Sequence, residues 1–270
     1  MSKDAKLLRF YSILAGLIFL TALLAPFILT QDPYESSMQQ AFLPPSAEHW
    51  FGTDKLGRDL FTRVIYGARI SVFMSLTVVI LIAGIGSAIG VVAGYVGGKV
   101  DTIIMRLADM FLAFPGIVLA IAIAGMMGGS VVNAILALVA VGWTKYARLA
   151  RSMTLKVRQQ DYIAAAVTNG TRPVQMFFRH IAPNILSIIL VTAAVDIGTM
   201  MMELAGLSFL GFGAQPPTPE WGLMLNEGRQ ALQTAPWLML FPGAAIVLVV
   251  AVFNLWGDAL RDWLDPNKAS

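Results

Sequence analysis

Apolar residues along this chain come in long runs rather than in strict alternation. About 20 apolar residues carry an α-helix across the hydrocarbon core of a bilayer. Runs of that order fall at residues 7–30, 71–95, 107–127, 131–150, 185–210 and 237–256. The pattern predicts an all-α, polytopic integral membrane protein with about six transmembrane helices. Gly128, Gly129 and Ser130 alone separate the third run from the fourth, which predicts a tight helical hairpin, and Pro115 predicts a kink in the third. The first run follows Lys3, Lys6 and Arg9 as a secretory signal would. It is longer than the roughly 7–15 apolar residues of such a signal and has no small-x-small cleavage site, so it reads as a retained span.

The polar stretches divide the chain. Residues 1–30 form a tail and first span, 31–70 a long loop, 71–258 a five-helix core and 259–270 a tail. Two loops interrupt the core, at 145–184 and at 211–236. With the N-terminus inside, fourteen of the nineteen Lys and Arg fall on the cytoplasmic side and five opposite, together with seven acidic residues. That asymmetry predicts a multi-pass membrane protein with both termini cytoplasmic.

Composition agrees. The 270 residues are 57% hydrophobic and 13% charged, with mean hydropathy +0.71, where a soluble domain carries about 25% charged residues. The net charge of +3 and pI near 9.3 are accounted for by the loop cations, and no nucleic-acid partner is expected. The absence of cysteine excludes disulfides, thiolate metal sites and cysteine nucleophiles. His49 and His180 fall on opposite sides of the membrane, so no paired-histidine metal site is expected.

The loop at 145–184 carries a net charge of +6 yet keeps apolar residues at helical spacing. Val174, Phe177, Phe178 and Ile181 follow i, i+3, i+4 and i+7, with Arg179 on another face. Pro183 is expected to stop this helix, and Asn169-Gly170 to separate it from an earlier one at 162–168. The pattern suits either a docking element for a soluble partner or an amphipathic helix lying on headgroups. No GxxxxGK[ST] phosphate loop occurs, since Gly98-Lys99 runs on into Val100. The chain is therefore not expected to be an enzyme, and any ATP hydrolysis must come from another subunit.

The string DYIAAAVTNGTRPVQMFFRHIAPN, from Asp161, resembles the coupling-loop signature of importer permeases of the ATP-binding-cassette (ABC) class. In that family an EAA triplet, a glycine six positions after its start and an apolar-Pro-Asn ending form a helix that docks into an ATPase. Here the triplet is Ala164, Ala165 and Ala166, the glycine is Gly170 and the ending is Phe178–Asn184 through Pro183. Ala164 stands where the family has glutamate, so contact rests on the apolar face and the flanking cations.

Two further stretches resemble the second permease of dipeptide, oligopeptide and nickel importers, and the likeness covers nearly the whole chain. HWFGTDKLGRDLFTRVIYGARIS contributes Gly52, Thr53, Asp54, Gly57, Arg58 and Asp59. Asp54 is expected to cap a helix whose Leu60, Phe61, Val64 and Ala68 lie along the membrane surface. LSFLGFGAQPPTPEWGLMLNEGRQ places Gly211 and Gly213 at the end of the fifth helix, followed by an extended turn at Pro216, Pro217 and Pro219. A short helix from Glu220 and Trp221 then forms a structural collar, or an outer gate that meets a binding protein. The resemblance implies a type I importer fold pairing with a homologous permease. Two ATPases carrying ATP and Mg, and an extracytoplasmic solute-binding protein, complete it. No cofactor sits in this chain.

Asp196 and Glu203 lie inside the fifth span seven residues apart, about 10 Å along one helix face, with Met200 between them. Ionisable groups at that depth face a pathway or a partner helix. Carboxylates and a thioether suit nickel, a metal chelate or a peptide's amino group. Together with the resemblance, which implies a bacterial plasma (inner) membrane, the expected function is a permease subunit of an ATP-driven, binding-protein-dependent importer, forming half of the pathway for nickel, a metal chelate or a short peptide, or for peptides only. A secondary transporter acting alone would need an ionisable relay across several spans, and a non-transporting scaffold would bind a partner without uptake.

Overall fold

A computed structural model describes residues 3–264. Among them there is no β-strand, only an isolated bridge between Thr53 and Asp59. The helices are α1 (Lys3–Ile28), α2 (Leu60–Val96), α3 (Gly98–Leu112), α4 (Gly116–Met127), α5 (Val131–Arg158), α6 (Asp161–Thr168), α7 (Pro173–Met176), α8 (Ala182–Phe209), α9 (Trp221–Gly228) and α10 (Trp237–Leu264). The segments 29–59 and 210–236 meet at one end of the bundle, here the loop end. The turns joining α5 to α8 lie at the other, the basic end.

Four helices are long and apolar enough to span a membrane, or five if the bent pair α3–α4 counts as one span. α5 is 28 residues long, but Lys145, Arg148, Arg151, Lys156 and Arg158 load its second half. α2 and α5 form the most extensive pairing. In lipid, close backbone approach and dispersion rather than hydrophobic exclusion hold helices together. Gly86, Gly90 and Gly94, spaced by four on α2, supply that approach. A Cβ on Gly90 would lie 2.1 Å from the carbonyl oxygen of Ala147, and one on Gly86 2.3 Å from that of Trp143. α8 packs on α2, α5 and α10, and α1 lies at the edge against α2 and α10, with Phe19 edge-on to Phe253 at 5.4 Å.

Several expectations are corrected. The helix expected along the membrane surface at 60–68 is instead the opening of α2 and continues straight into the second span. Its cap is Asp59, which accepts from the Thr62 N–H at 2.8 Å, not Asp54. The Asp54 carboxylate is taken by the backbone N–H groups of Leu56 and Arg58, at 2.8 and 3.0 Å. The third run is not one straight span: α3 and α4 meet at 88°, where Pro115 has no N–H to continue the ladder. α4 returns through Gly128–Ser130 into α5 as expected, and Ser130 caps α5 by accepting from the Asn133 N–H.

The loop drawn from residue 145 begins later, because α5 runs unbroken to Arg158. Asp109 of α3 pairs with Arg148 of α5, although Arg106 stands only three residues away in its own helix, and Asp101 pairs with Arg151. Pro183 does not stop a helix. It occupies the first turn of α8, and a π-helical turn at Phe177–Ile181 joins α7 to α8 and absorbs the missing donor. α10 extends past the expected boundary at 258. The side chains of Ala164 and Val174, and residues 265–270 of the expected tail, lie outside the described residues.

Candidate functional site

At the loop end the polar motif folds into a clasp rather than a surface helix. Gly52 and Gly57 both have positive φ, and a Cβ on Gly57 would lie 1.8 Å from the carbonyl oxygen of Ser37, so only glycine fits that turn. Thr53 bonds the Gln40 carbonyl and bridges to Asp59, while Asp59 also meets His49 Nδ1 at 3.0 Å. The turn delivers Arg58 to the Asp54 carboxylate (Nε–Oδ2 2.6 Å) and to Glu227 of α9 (3.3 Å). Arg63, one turn into α2, reaches Asp54 and Glu227 at 3.5 Å and donates to the carbonyls of Pro33 and Pro217 at 3.0 and 3.3 Å. Both arginines are 1% exposed. The motif thus ties the 31–59 loop, α2 and α9 into one unit, and Glu227 is a member that local spacing did not signal.

α9 starts at Glu220, whose carboxylate accepts from the Gly222 and Leu223 N–H groups at 3.0 and 2.8 Å. Trp221 donates from Nε1 to the Val64 carbonyl at 2.8 Å, and Gly222 lies against the backbone of Ala205. Glu220 and Trp221 are buried, so of the residues expected to touch a binding protein only Pro216 and Pro217 are exposed; Pro219 is buried too. Burial raises the Glu220 carboxyl above the usual range, partly offset by its backbone donors and by Ser208 and Ser71. Gly211, at φ +89°, ends α8 as expected.

Midway along the bundle, both carboxylate oxygens of Asp196 accept from Lys145 Nζ, at 2.7 and 2.9 Å, and Oδ2 accepts from the Tyr146 hydroxyl at 2.9 Å. Asp196 and Met200 are buried against neighbouring helices. Glu203 is half-buried and has neither an ion pair nor a hydrogen bond among the described residues. It borders an open stripe of α8 formed by Ile188, Thr192, Thr199, Met202 and Gly206, where a Cβ on Gly206 would meet nothing within 4 Å. So the three residues share one helix, but the face that holds Asp196 and Met200 is filled by α5, and only Glu203 reaches the stripe. Lys145 and Tyr146 are the residues sequence reasoning missed. Lys145 was counted with a loop, though a lysine inside an apolar run is as costly as an aspartate. Toward the basic end of this pair, a cavity of about 520 Å³ opens between α5, α8 and α10, lined among others by Lys145, Thr192, Asp196 and Arg261.

At the basic end α6, Gly170 (φ +75°) and the α7 to α8 passage form the expected helix–glycine–helix unit. Its apolar residues divide differently from the expected single face. Ile163, Met176 and Ile181 are buried, and Phe177 packs on the core with Ala166. Phe178, edge-on to Phe177 at 4.7 Å, is 68% exposed, and Asp161, Tyr162, Ala165, Arg179 and Pro183 are exposed around it. The π-helical turn shifts the register by one residue, which separates Phe178 from Ile181. No group of three or more His, Asp or Glu positioned to hold a metal occurs among the described residues.

An apolar helical bundle with a polar clasp at one end and a cationic helical turn at the other has the architecture of a multi-pass membrane subunit. The sequence profile described as binding-protein-dependent transport system inner membrane component matches residues 86–270, and the chain belongs to that family, the permeases of ABC importers. Among curated relatives, the dipeptide transport permease DppC of Alkalihalophilus pseudofirmus is 45% identical, covering 95% of this chain and 86% of that protein. The nickel transport permease NikC of Escherichia coli is 41% identical over 96% and 94%. The glutathione transport permease GsiD of Pectobacterium atrosepticum is 46% identical over 84% and 75%. A chain of the MetNI methionine ABC transporter, solved in inward-facing conformations, has the same fold. It matches at TM-score 0.54 and 18% identity, over 73% of this chain and 95% of its own.

Proposed function

We propose that this permease forms half of a translocation pathway whose other half is a homologous permease, and that residues 161–184 dock into a cytoplasmic ATPase. On this reading ATP and Mg bind only to the ATPases, and the chain performs no covalent chemistry. Both termini are cytoplasmic, and a solute-binding protein delivers substrate at the loop end, where Pro216 and Pro217 are exposed. Cargo is a short peptide, nickel or a metal chelate. The observation that carries the docking reading is Phe178, an aromatic ring left 68% exposed at the most cationic end of the bundle. Its neighbours Ile163, Met176 and Ile181 are anchored in the core, so the ring stands on a rigid base through which force can pass.

The test is Phe178→Asp in the complete transporter. Phe177 is partly buried and its replacement would confound docking with folding. Co-purification of the ATPase and solute uptake should both fall, with the permease still present in the membrane. Wild-type permease purified without any ATPase, or unchanged assembly and uptake in the variant, would refute the docking reading.

A further inference from the structure

The cavity between α5, α8 and α10 bears on which chemical class of solute can pass. Among the described residues its charged lining consists of Lys145, Asp196 and Arg261, an excess of one positive charge. The one carboxylate is already engaged, by two contacts from Lys145 and one from Tyr146. The Lys145 side chain is nevertheless 56% exposed, because Asp196 holds only the tip of the ammonium while the rest faces the opening. Arg261 has no ion-pair partner among the described residues, and its helical neighbour Asp258 does not line the cavity. The ammonium has three N–H donors in all, and Asp196 accepts along two directions, which leaves a donor toward the cavity.

The cavity is continuous with the open stripe of α8, since Ile188 and Thr192 belong to both. Thr199 and the half-buried Glu203 place polar groups farther along that stripe, an arrangement expected where a membrane-spanning helix faces a polar path, whereas the Thr192 hydroxyl donates to the Ile188 carbonyl of its own helix at 2.8 Å. Asp196 lies thirteen residues before the end of α8 at Phe209, roughly 20 Å below the loop end, so the cationic cavity occupies the inner part of that path. A bare divalent cation entering it meets net positive charge and finds no imidazole, thiolate or unpaired carboxylate among the described lining residues, Glu203 standing about 10 Å farther along α8. A carboxylate meets two cations, and a guanidinium among them can bind it in bidentate fashion.

Resting on the importer reading above, we propose that the inner cavity receives the carboxylate of a carboxylate-bearing solute, through Lys145 and Arg261, and that a bare divalent metal ion is not the species that passes it. A peptide C-terminus and a carboxylate-rich metal chelate share this chemistry, and the test separates them.

The assembled transporter with its own binding protein is reconstituted in vesicles. Uptake is measured for a short peptide with a free C-terminus, for nickel chloride alone and for nickel with a carboxylate chelator, normalised to the complex recovered by co-purification. Uptake is expected for the peptide or for the chelate, whichever identifies the source, and not for the free ion. Arg261→Gln, and Lys145→Gln combined with Asp196→Asn, should each raise the KM for uptake or lower its rate by roughly tenfold, the scale of one lost hydrogen bond to a charged group. The paired replacement leaves no lone buried charge, and Arg261→Gln removes a residue at the exposed end of α10, so one of the two remains interpretable if the other fails to assemble. Uptake of the free metal ion, or wild-type uptake of the carboxylate solute by both variants, would overturn the proposal. A wild-type complex lacking an ATPase would instead refute the importer reading on which it rests.

Discussion

Gly90→Ala tests the packing that sets the permease core. The added Cβ would lie 2.1 Å from the Ala147 carbonyl oxygen and 2.8 Å from that residue's Cα and C. An ordinary carbon–oxygen contact is about 3.3 Å or more, so α2 and α5 must part by roughly 1 Å. All three contacting atoms are backbone, and no rotamer change relieves them. Overpacking of this kind costs about 1–3 kcal/mol, and this geometry belongs at the upper end. Alanine in a helix gains back up to about 1 kcal/mol over glycine, a gain that also applies where there is no clash. Gly84→Ala isolates that gain, because a Cβ at Gly84 meets nothing within 4 Å. The two variants should therefore differ by about 2–3 kcal/mol, which corresponds to roughly 5–10 °C in apparent melting temperature for a chain of this size. The measurement is the fraction of monodisperse complex surviving heating in detergent, followed by size-exclusion chromatography. Equal melting of the two variants would show that the glycine seam does not set the α2–α5 distance.

Three further outcomes follow from the ionisable groups. Glu203→Gln, at the half-buried carboxylate beside the open stripe of α8, should lower uptake while leaving assembly intact, and normal transport would make that residue a packing element. Glu227→Ala leaves Arg58 and Arg63, each 1% exposed, with Asp54 as their one shared carboxylate, so it should destabilise the fold by about 3–5 kcal/mol, whereas Lys55→Ala at the exposed rim of the same network should cost under about 1 kcal/mol. Comparable losses from the two would refute the buried clasp. Glu220 holds its proton more tightly folded than unfolded because of burial, so its contribution to stability is full below the unfolded-chain pKa and is lost as pH rises through the raised folded value. Melting followed across pH should show that decline in the parent protein and not in Glu220→Gln; parallel profiles would contradict it.

Much of the site was legible in the chain itself wherever the signal is local. Apolar run length announced a membrane bundle, because hydrocarbon thickness imposes its ruler on any helix that crosses it. Gly170 and Gly211 marked helix breaks correctly, because positive φ selects glycine whatever the surroundings. The helix–glycine–helix unit at 161–184 was readable for the same reason, but its single apolar face was not. A π-helical turn that accommodates Pro183 inside a continuous helix displaces Phe178 from Ile181, and no fixed periodicity anticipates it. The apolar run around Gly86, Gly90 and Gly94 reads as a span with no hint of what those glycines meet, and only the α5 backbone at Trp143 and Ala147 gives their spacing meaning. Lys145 meets Asp196 across 51 residues and Arg58 meets Glu227 across 169, pairings chosen by how each helix rotates about its axis when packed. Hydrophobicity and steric rules act over a few residues and so are written in the sequence. Charge neutralisation inside a bundle depends on which faces finally touch, and that is settled only when the helices come together.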